Sequence, residues 1–250
     1  MKSLNLIKSV ILFVLLGTIN ISAQTARPET ELIKLLYDSG DPAKALLLAD
    51  KIDSVNYKDK YGYIPLMYAS ARGYLDVCKV LIDRGSNVNL QTKTGETALI
   101  MASANGHNEI VKLLLSKRCQ LNMPSNDGIT ALHAAAIKGH AETVRILIDH
   151  GAKLNWQDKN GMTPLFFAAK LGNYDIVKLL IEKGADFELP VNGGMTPLMM
   201  ASEDGNTAIA KLLLDKGANA ELKTDEGKTA YDYAKNDTIK TLISSFRKKH

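Results

Sequence analysis

The chain has 250 residues, of which 46% are hydrophobic and 23% are charged. This balance is ordinary for a globular protein and excludes an intrinsically disordered chain. The length accommodates one elongated domain or two small ones, and the formal net charge is only +4.

The N-terminal residues 1–23 have the pattern of a secretory signal peptide. Two lysines precede an apolar run over residues 10–16, and the segment ends in the small residues Ser22 and Ala23 without containing an acid. We predict cleavage after Ala23, followed by a linker over residues 24–28. An uncleaved membrane anchor is the alternative, although the run is short for a span of about 20 apolar residues.

The charge of the mature chain argues against a nucleic-acid partner. Removing residues 1–23 takes away two lysines and no acid, which leaves 29 bases against 27 acids. A balanced surface gives phosphate groups no electrostatic advantage. We therefore expect no nucleic-acid partner, and no membrane contact beyond the signal segment.

Glycines recur every 33 residues from Gly62 to Gly227. A period of this size is typical of a solenoid. Each unit opens with a motif such as ETALIMA (96–102), in which a threonine can cap a first helix. A glycine then precedes a second segment such as AETVRILIDH (141–150), whose apolar spacing predicts a second helix.

These motifs resemble the ankyrin repeat, in which T-P-L-H is followed by G-H and later by G-A-D-V-N. The resemblance covers residues 29–250 and implies an all-α solenoid of helix-turn-helix units joined by β-hairpin loops, with about seven repeats including two caps. The predicted repeats are 29–61 (N-terminal cap), 62–94, 95–127, 128–160, 161–193, 194–226 and 227–250 (C-terminal cap).

Three histidines invite a chemical interpretation, but their positions favour a structural one. His133 is the fourth residue of the T-P-L-H motif, where the resemblance implies hydrogen bonds to threonine and backbone. His107 and His140 follow the glycine between the two helices. No phosphate-binding, hydrolase or metalloprotease motif is present, so we predict no catalytic residue, metal or cofactor.

Three further residues bear on the structure. Cys78 and Cys119 lie in different repeats and at different positions within them, so we expect no disulfide between them. Arg118 stands where other repeats have their closing glycine. A left-handed conformation of Arg118 would cost roughly 1–2 kcal/mol relative to glycine. The replacement of glycine by arginine is explained either by neutral drift or by a functional kink.

The resemblance implies that a partner protein binds the concave face, which the hairpin tips and the first helices form. The predicted partner-binding residues are Tyr61, Tyr63, Arg72, Lys93, Ile129, Ile137, Met162, Leu171, Met195, Glu203 and Asp204. Bases lie early and acids late in this set, which favours a partner of complementary polarity. A regular stripe that includes Trp156 is interpreted as packing between hairpins, with Trp156 alone a candidate interface anchor.

We therefore predict an exported, monomeric, non-enzymatic module that binds, protects or inhibits another protein. The signal segment and the small repeat domain together resemble periplasmic ankyrin proteins of Gram-negative bacteria. Two alternatives are a membrane-anchored scaffold that retains residues 1–23, and a hydrolase with its site on the concave face.

Overall fold

A computed structural model describes residues 27–38 and 40–247. In these residues the chain forms thirteen α-helices and no strand, which confirms the all-α prediction. None of the helices in the described ranges is long and apolar enough to cross a membrane. The predicted signal segment, residues 1–23, lies outside the described residues.

The helices follow one another in pairs along the chain. They are α1 Pro28–Tyr37, α2 Pro42–Ala49, α3 Pro65–Arg72, α4 Leu75–Asp83, α5 Ala98–Ala104, α6 Asn108–Ser116, α7 Ala131–Lys138, α8 Ala141–Asp149, α9 Pro164–Lys170, α10 Tyr174–Glu182, α11 Pro197–Asp204, α12 Thr207–Asp215 and α13 Asp237–Arg247.

The helices form two layers. First helices pack against first helices, as α7 does against α5 and α9, and second helices pack against second helices in the same way. Each first helix also packs against the second helix of its own pair. Leucines at the second position of the first helices, from Leu66 to Leu198, are at most 2% exposed and form the core between the layers.

The first helices begin where the threonine motif predicts. Thr163 Oγ1 accepts a hydrogen bond from Phe166 N at 3.1 Å, and Thr97 Oγ1 accepts one from Ile100 N at 3.2 Å. Caps of this kind each contribute about 1 kcal/mol. Thr229 is an exception, because residues 230–233 form a turn and Thr229 bonds to Asp232 Oδ2 instead. The last predicted repeat therefore has one α-helix, α13, which packs against α12.

Adjacent hairpins are joined by single backbone hydrogen bonds, although no strand is formed in the described residues. Lys93 N donates to Tyr61 O at 3.0 Å, and the same bond recurs in each later pair of hairpins as far as Asp225 N and Gly193 O. This ladder explains one repeated glycine: at Gly95, whose φ is +83°, a Cβ would lie 2.5 Å from Asn126 N. The next hairpin leaves no room for a side chain there.

Arg118 has a φ of +56° and is the one non-glycine residue with positive φ in the described ranges. Arg118 therefore adopts the left-handed conformation considered above. Its side chain is exposed in the loop after α6.

Candidate protein-binding surface

His133 is a structural residue. Its side chain is fully buried, with Nδ1 2.8 Å from Thr130 Oγ1 and Nε2 3.1 Å from the Met162 carbonyl oxygen. Because a carbonyl can only accept, Nε2 carries the proton and Nδ1 accepts from the hydroxyl. Burial lowers the pKa of His133 to about 4, so the ring is neutral at neutral pH.

The other two motif histidines satisfy helix ends. His107 Nε2 lies 3.1 Å from the Ala71 carbonyl oxygen, and His140 Nε2 lies 3.2 Å from that of Ala104. Asn173 and Asn206 hold the same position in later repeats and donate to carbonyl oxygens at 2.9 and 3.1 Å. Histidine and asparagine thus have the same structural role at this position. Each hydrogen-bonds to a carbonyl oxygen at the end of the first helix in the preceding repeat. The structural interpretation of these histidines is confirmed.

The two cysteines are not joined. Both Cys78 and Cys119 are free thiols, as predicted. Burial raises the pKa of Cys78 to about 12 and that of Cys119 to about 11, so neither is a reactive thiolate at neutral pH.

Two of the predicted partner-binding residues are not on the surface. Tyr63 is 6% exposed and Ile129 is 7% exposed. Both follow the hairpin glycine directly, where the side chain turns into the array: the Tyr63 hydroxyl donates to Glu96 Oε2 of the next repeat at 3.0 Å. The prediction that these two side chains face solvent is wrong.

The other predicted residues near the N-terminal end of the array are exposed, but Arg72 differs from Tyr61 and Lys93 in what it contacts. Tyr61 is 50% exposed and has Lys60 Nζ 4.8 Å above its ring, and Lys93 is also exposed. Arg72 Nε donates to the Leu36 carbonyl oxygen at 3.1 Å and its guanidinium also bonds to the Tyr37 carbonyl oxygen. Arg72 therefore joins α3 to the end of α1, which limits what it offers to a partner.

Four predicted residues come together in one open groove of about 730 Å³. They are Met162, Met195, Glu203 and Asp204. The remaining lining residues come from the first helices, the hairpin tips and the C-terminal turn, and are Phe166, Lys170, Val191, Asn192, Gly193, Met200, Thr224, Asp225, Glu226 and Tyr233. Ile137 is half-buried against the core and Leu171 is 42% exposed, and neither lines the groove.

The groove has an apolar floor and an acidic rim. Met162, Met195 and Met200 line the groove together with Phe166, whose side chain is fully buried. Methionine is flexible and polarisable, and is frequent on surfaces that accept varied apolar side chains. The sequence alone does not reveal that Met200 and Tyr233 line the groove, because apolar residues of the repeated helix-opening motif are expected in the core. Their periodicity is the same whether or not one edge of the side chain faces a groove.

Within the described ranges there is no group of three or more His, Cys, Asp or Glu side chains that could hold a metal ion. The groove is lined by four carboxylates, one lysine and no histidine.

The fold and the groove define a repeat solenoid that serves as a protein–protein interaction module. A family model described as ankyrin repeats (3 copies) matches residues 19–125 and 99–191, and one described as ankyrin repeats (many copies) matches residues 184–234. The chain belongs to the ankyrin repeat family.

A solved structure supports the same assignment. The crystal structure of the human ASB11 ankyrin repeat domain is similar to this chain, with a TM-score of 0.76 and 27% sequence identity. The match covers 85% of this chain and 96% of that domain. No curated protein matches the chain.

Proposed function

We propose that this protein is an exported, non-enzymatic ankyrin-repeat module that acts as a monomer and binds another protein through its concave face, protecting or inhibiting that partner. The observation that carries the proposal is the groove, which gathers Met162, Met195, Glu203 and Asp204 from two successive repeats. A preformed groove on a rigid array loses little ordering entropy when a partner binds.

Export is supported by residues 1–23, which have the charge, apolar core and small-residue end of a cleaved signal. The alternative is an anchored scaffold in the membrane. Edman sequencing of the protein from its own cells separates the two. Export with cleavage predicts an N-terminus at Gln24, whereas an anchored protein keeps its first residues.

The non-enzymatic role is supported by the bonding of the histidines. His133 and His140 are held by hydrogen bonds to the scaffold, and the acids of the groove have no histidine beside them in its lining. A general acid or base needs a proton-transfer group within hydrogen-bond reach of a substrate. A hydrolase in this groove would have no histidine in the lining and would depend on the carboxylates, Lys170 and Tyr233.

The test is an affinity capture of the partner by the tagged protein from its own cells. Replacing Tyr61, Met162 and Met195 together by alanine should remove the partner, because these side chains lie on the concave face and are at least partly exposed. The matched control replaces Leu47 and Tyr174, which are 64% and 40% exposed on second helices, and should leave capture unchanged. If the concave-face variant retains the same partner at the same yield, the proposed surface is wrong.

A further inference from the structure

The chemistry of the groove indicates what part of a partner it accepts. We infer that the groove binds an extended segment of the partner protein in which lysine or arginine residues flank one apolar side chain. This inference rests on the proposed function, since it names the segment that the concave face would bind.

The lining of the groove carries more acids than bases. Glu203, Asp204, Asp225 and Glu226 line the groove, whereas Lys170 is the single base in the lining. Of the four carboxylates, only Glu226 forms an ion pair in the described part of the chain, with Lys228 at 2.8 Å.

A second base lies near the rim but leaves its carboxylates unpaired. Lys235 Nζ is 3.5 Å from the backbone oxygen of Asp204 rather than from its side chain. Three carboxylates of the rim therefore remain available to a cationic partner. At physiological salt the screening length is about 8 Å, so they act on groups that enter the groove and not on distant ones.

The floor provides a place for one apolar side chain. Met162 and Met195 are half-buried and line the groove together with Met200, which is 8% exposed. An apolar side chain that entered here would leave water on contact with the methionine side chains. The carboxylates of the rim favour a positively charged group, and the methionines of the floor favour an apolar side chain. The ligand should therefore have both.

The mouth of the groove is opened by a glycine. Gly193 has a φ of +96°, and a Cβ built there would have no atom within 4 Å. In the other hairpins the same tip position holds a residue with a side chain: Tyr61, Thr94, Asp127, Asn160 or Glu226. The bare tip lets the backbone of an extended segment pass close to the hairpin, which favours a peptide strand over a bulky folded surface.

The experiment is a selection of random dodecamer peptides by display on the purified full chain, followed by fluorescence anisotropy with the enriched peptides. We expect enrichment of peptides with lysine or arginine on both sides of a leucine, methionine or phenylalanine. The double variant Glu203→Gln with Asp225→Asn should weaken their binding roughly fivefold and reduce its dependence on salt. Met195→Ala should weaken binding while the salt dependence stays.

A matched control changes the same charge elsewhere. Asp175→Asn with Glu182→Gln removes two exposed carboxylates from α10, in the second-helix layer, and should leave peptide binding unchanged. Enriched peptides that are acidic or uncharged would overturn the inference, as would basic peptides that bind the groove variant and the control equally. Failure to enrich any peptide would also overturn it. The capture experiment with Tyr61, Met162 and Met195 decides the proposed function separately, because it makes no assumption about charge.

Discussion

Tyr68 donates its hydroxyl proton to Asp59 Oδ2 at 2.7 Å, a bond that is missing three repeats later. Asp158 and Phe167 hold the corresponding positions there, and phenylalanine has no donor. Asp158 Oδ1 still accepts from the backbone of Asn160 and Met162, at 2.8 Å each. Its Oδ2 is buried with no hydrogen-bond partner among the described residues. The fourth predicted repeat thus keeps the carboxylate at Asp158, whereas the fifth has Phe167 where the second has Tyr68.

Restoring that tyrosine should stabilise the fold. The variant Phe167→Tyr places a hydroxyl at the position equivalent to that of Tyr68, which bonds to Asp59, and should raise the free energy of unfolding by about 1 kcal/mol. For a domain of this size that is a rise in Tm of roughly 2–4 °C. Scanning calorimetry measures it, with Tyr68→Phe as the converse, destabilising variant. A lower Tm for Phe167→Tyr would mean that the repeat has no space for the hydroxyl.

The same gain should depend on pH. Burial raises the pKa of Asp158 above its ordinary value of 3.8, so the folded state binds this proton more tightly than the unfolded state. Its burial therefore costs stability at neutral pH, and the cost falls as pH decreases through the raised pKa. The difference in unfolding free energy between Phe167→Tyr and the parent should accordingly shrink from pH 7 toward pH 3.8. Urea titrations at several pH values test this, and a constant difference would show that Asp158 is not the acceptor.

The sequence predicted the repeating parts of the fold well, because each is local. Thr97 precedes an apolar helix by one residue, and Arg118 replaces a closing glycine in register, so both outcomes follow from position within the repeat. His133 could be assigned to the scaffold for the same reason. Residues that recur in register make the same contacts in the internal layers, as the caps at Thr97 and Thr163 do.

The candidate surface was harder to predict, because exposure depends on the neighbouring repeat. Tyr63 and Met195 occupy equivalent positions after a hairpin glycine, yet Tyr63 is buried beneath Glu96 whereas Met195 borders the groove. The difference in exposure between the two side chains depends on the repeat that follows each of them. The shortened C-terminal unit, with a turn at residues 230–233 instead of a helix, leaves the last hairpins less covered. One repeat taken alone carries no signal for that.

His133 should make the stability of the protein fall in mild acid. Its folded pKa of about 4 lies below the ordinary value of 6.5, so the unfolded state binds more protons between these values. The contribution of the neutral, buried His133 to the free energy of unfolding is fully present above pH 6.5 and is lost as the pH falls toward 4. At pH 5 the free energy of unfolding should be lower by roughly 2 kcal/mol.

The matched variant for this effect is His133→Met. Methionine occupies the equivalent position at Met199, where the Thr196 cap is retained and Thr196 N lies 3.4 Å from the sulfur. Denaturant unfolding at pH 7.5 and pH 5 should show the loss in the parent protein and at most a small part of it in His133→Met. An equal loss in both proteins would assign the acid sensitivity to other groups.

Replacing Arg118 by glycine should stabilise the protein, and two opposing effects determine the size of the gain. Replacing this residue by glycine relieves a left-handed conformation that costs roughly 1–2 kcal/mol for a residue with a Cβ. Glycine also makes the unfolded chain more flexible, which offsets about 0.4–1 kcal/mol of that gain. The net stabilisation of Arg118→Gly should therefore be about 0.5–1 kcal/mol by denaturant unfolding. Gly151→Ala is the inverse at the equivalent loop, where a Cβ meets no atom within 4 Å, and should destabilise by a similar amount. A loss of stability in Arg118→Gly would mean that the arginine side chain holds this loop in place and is not merely tolerated there.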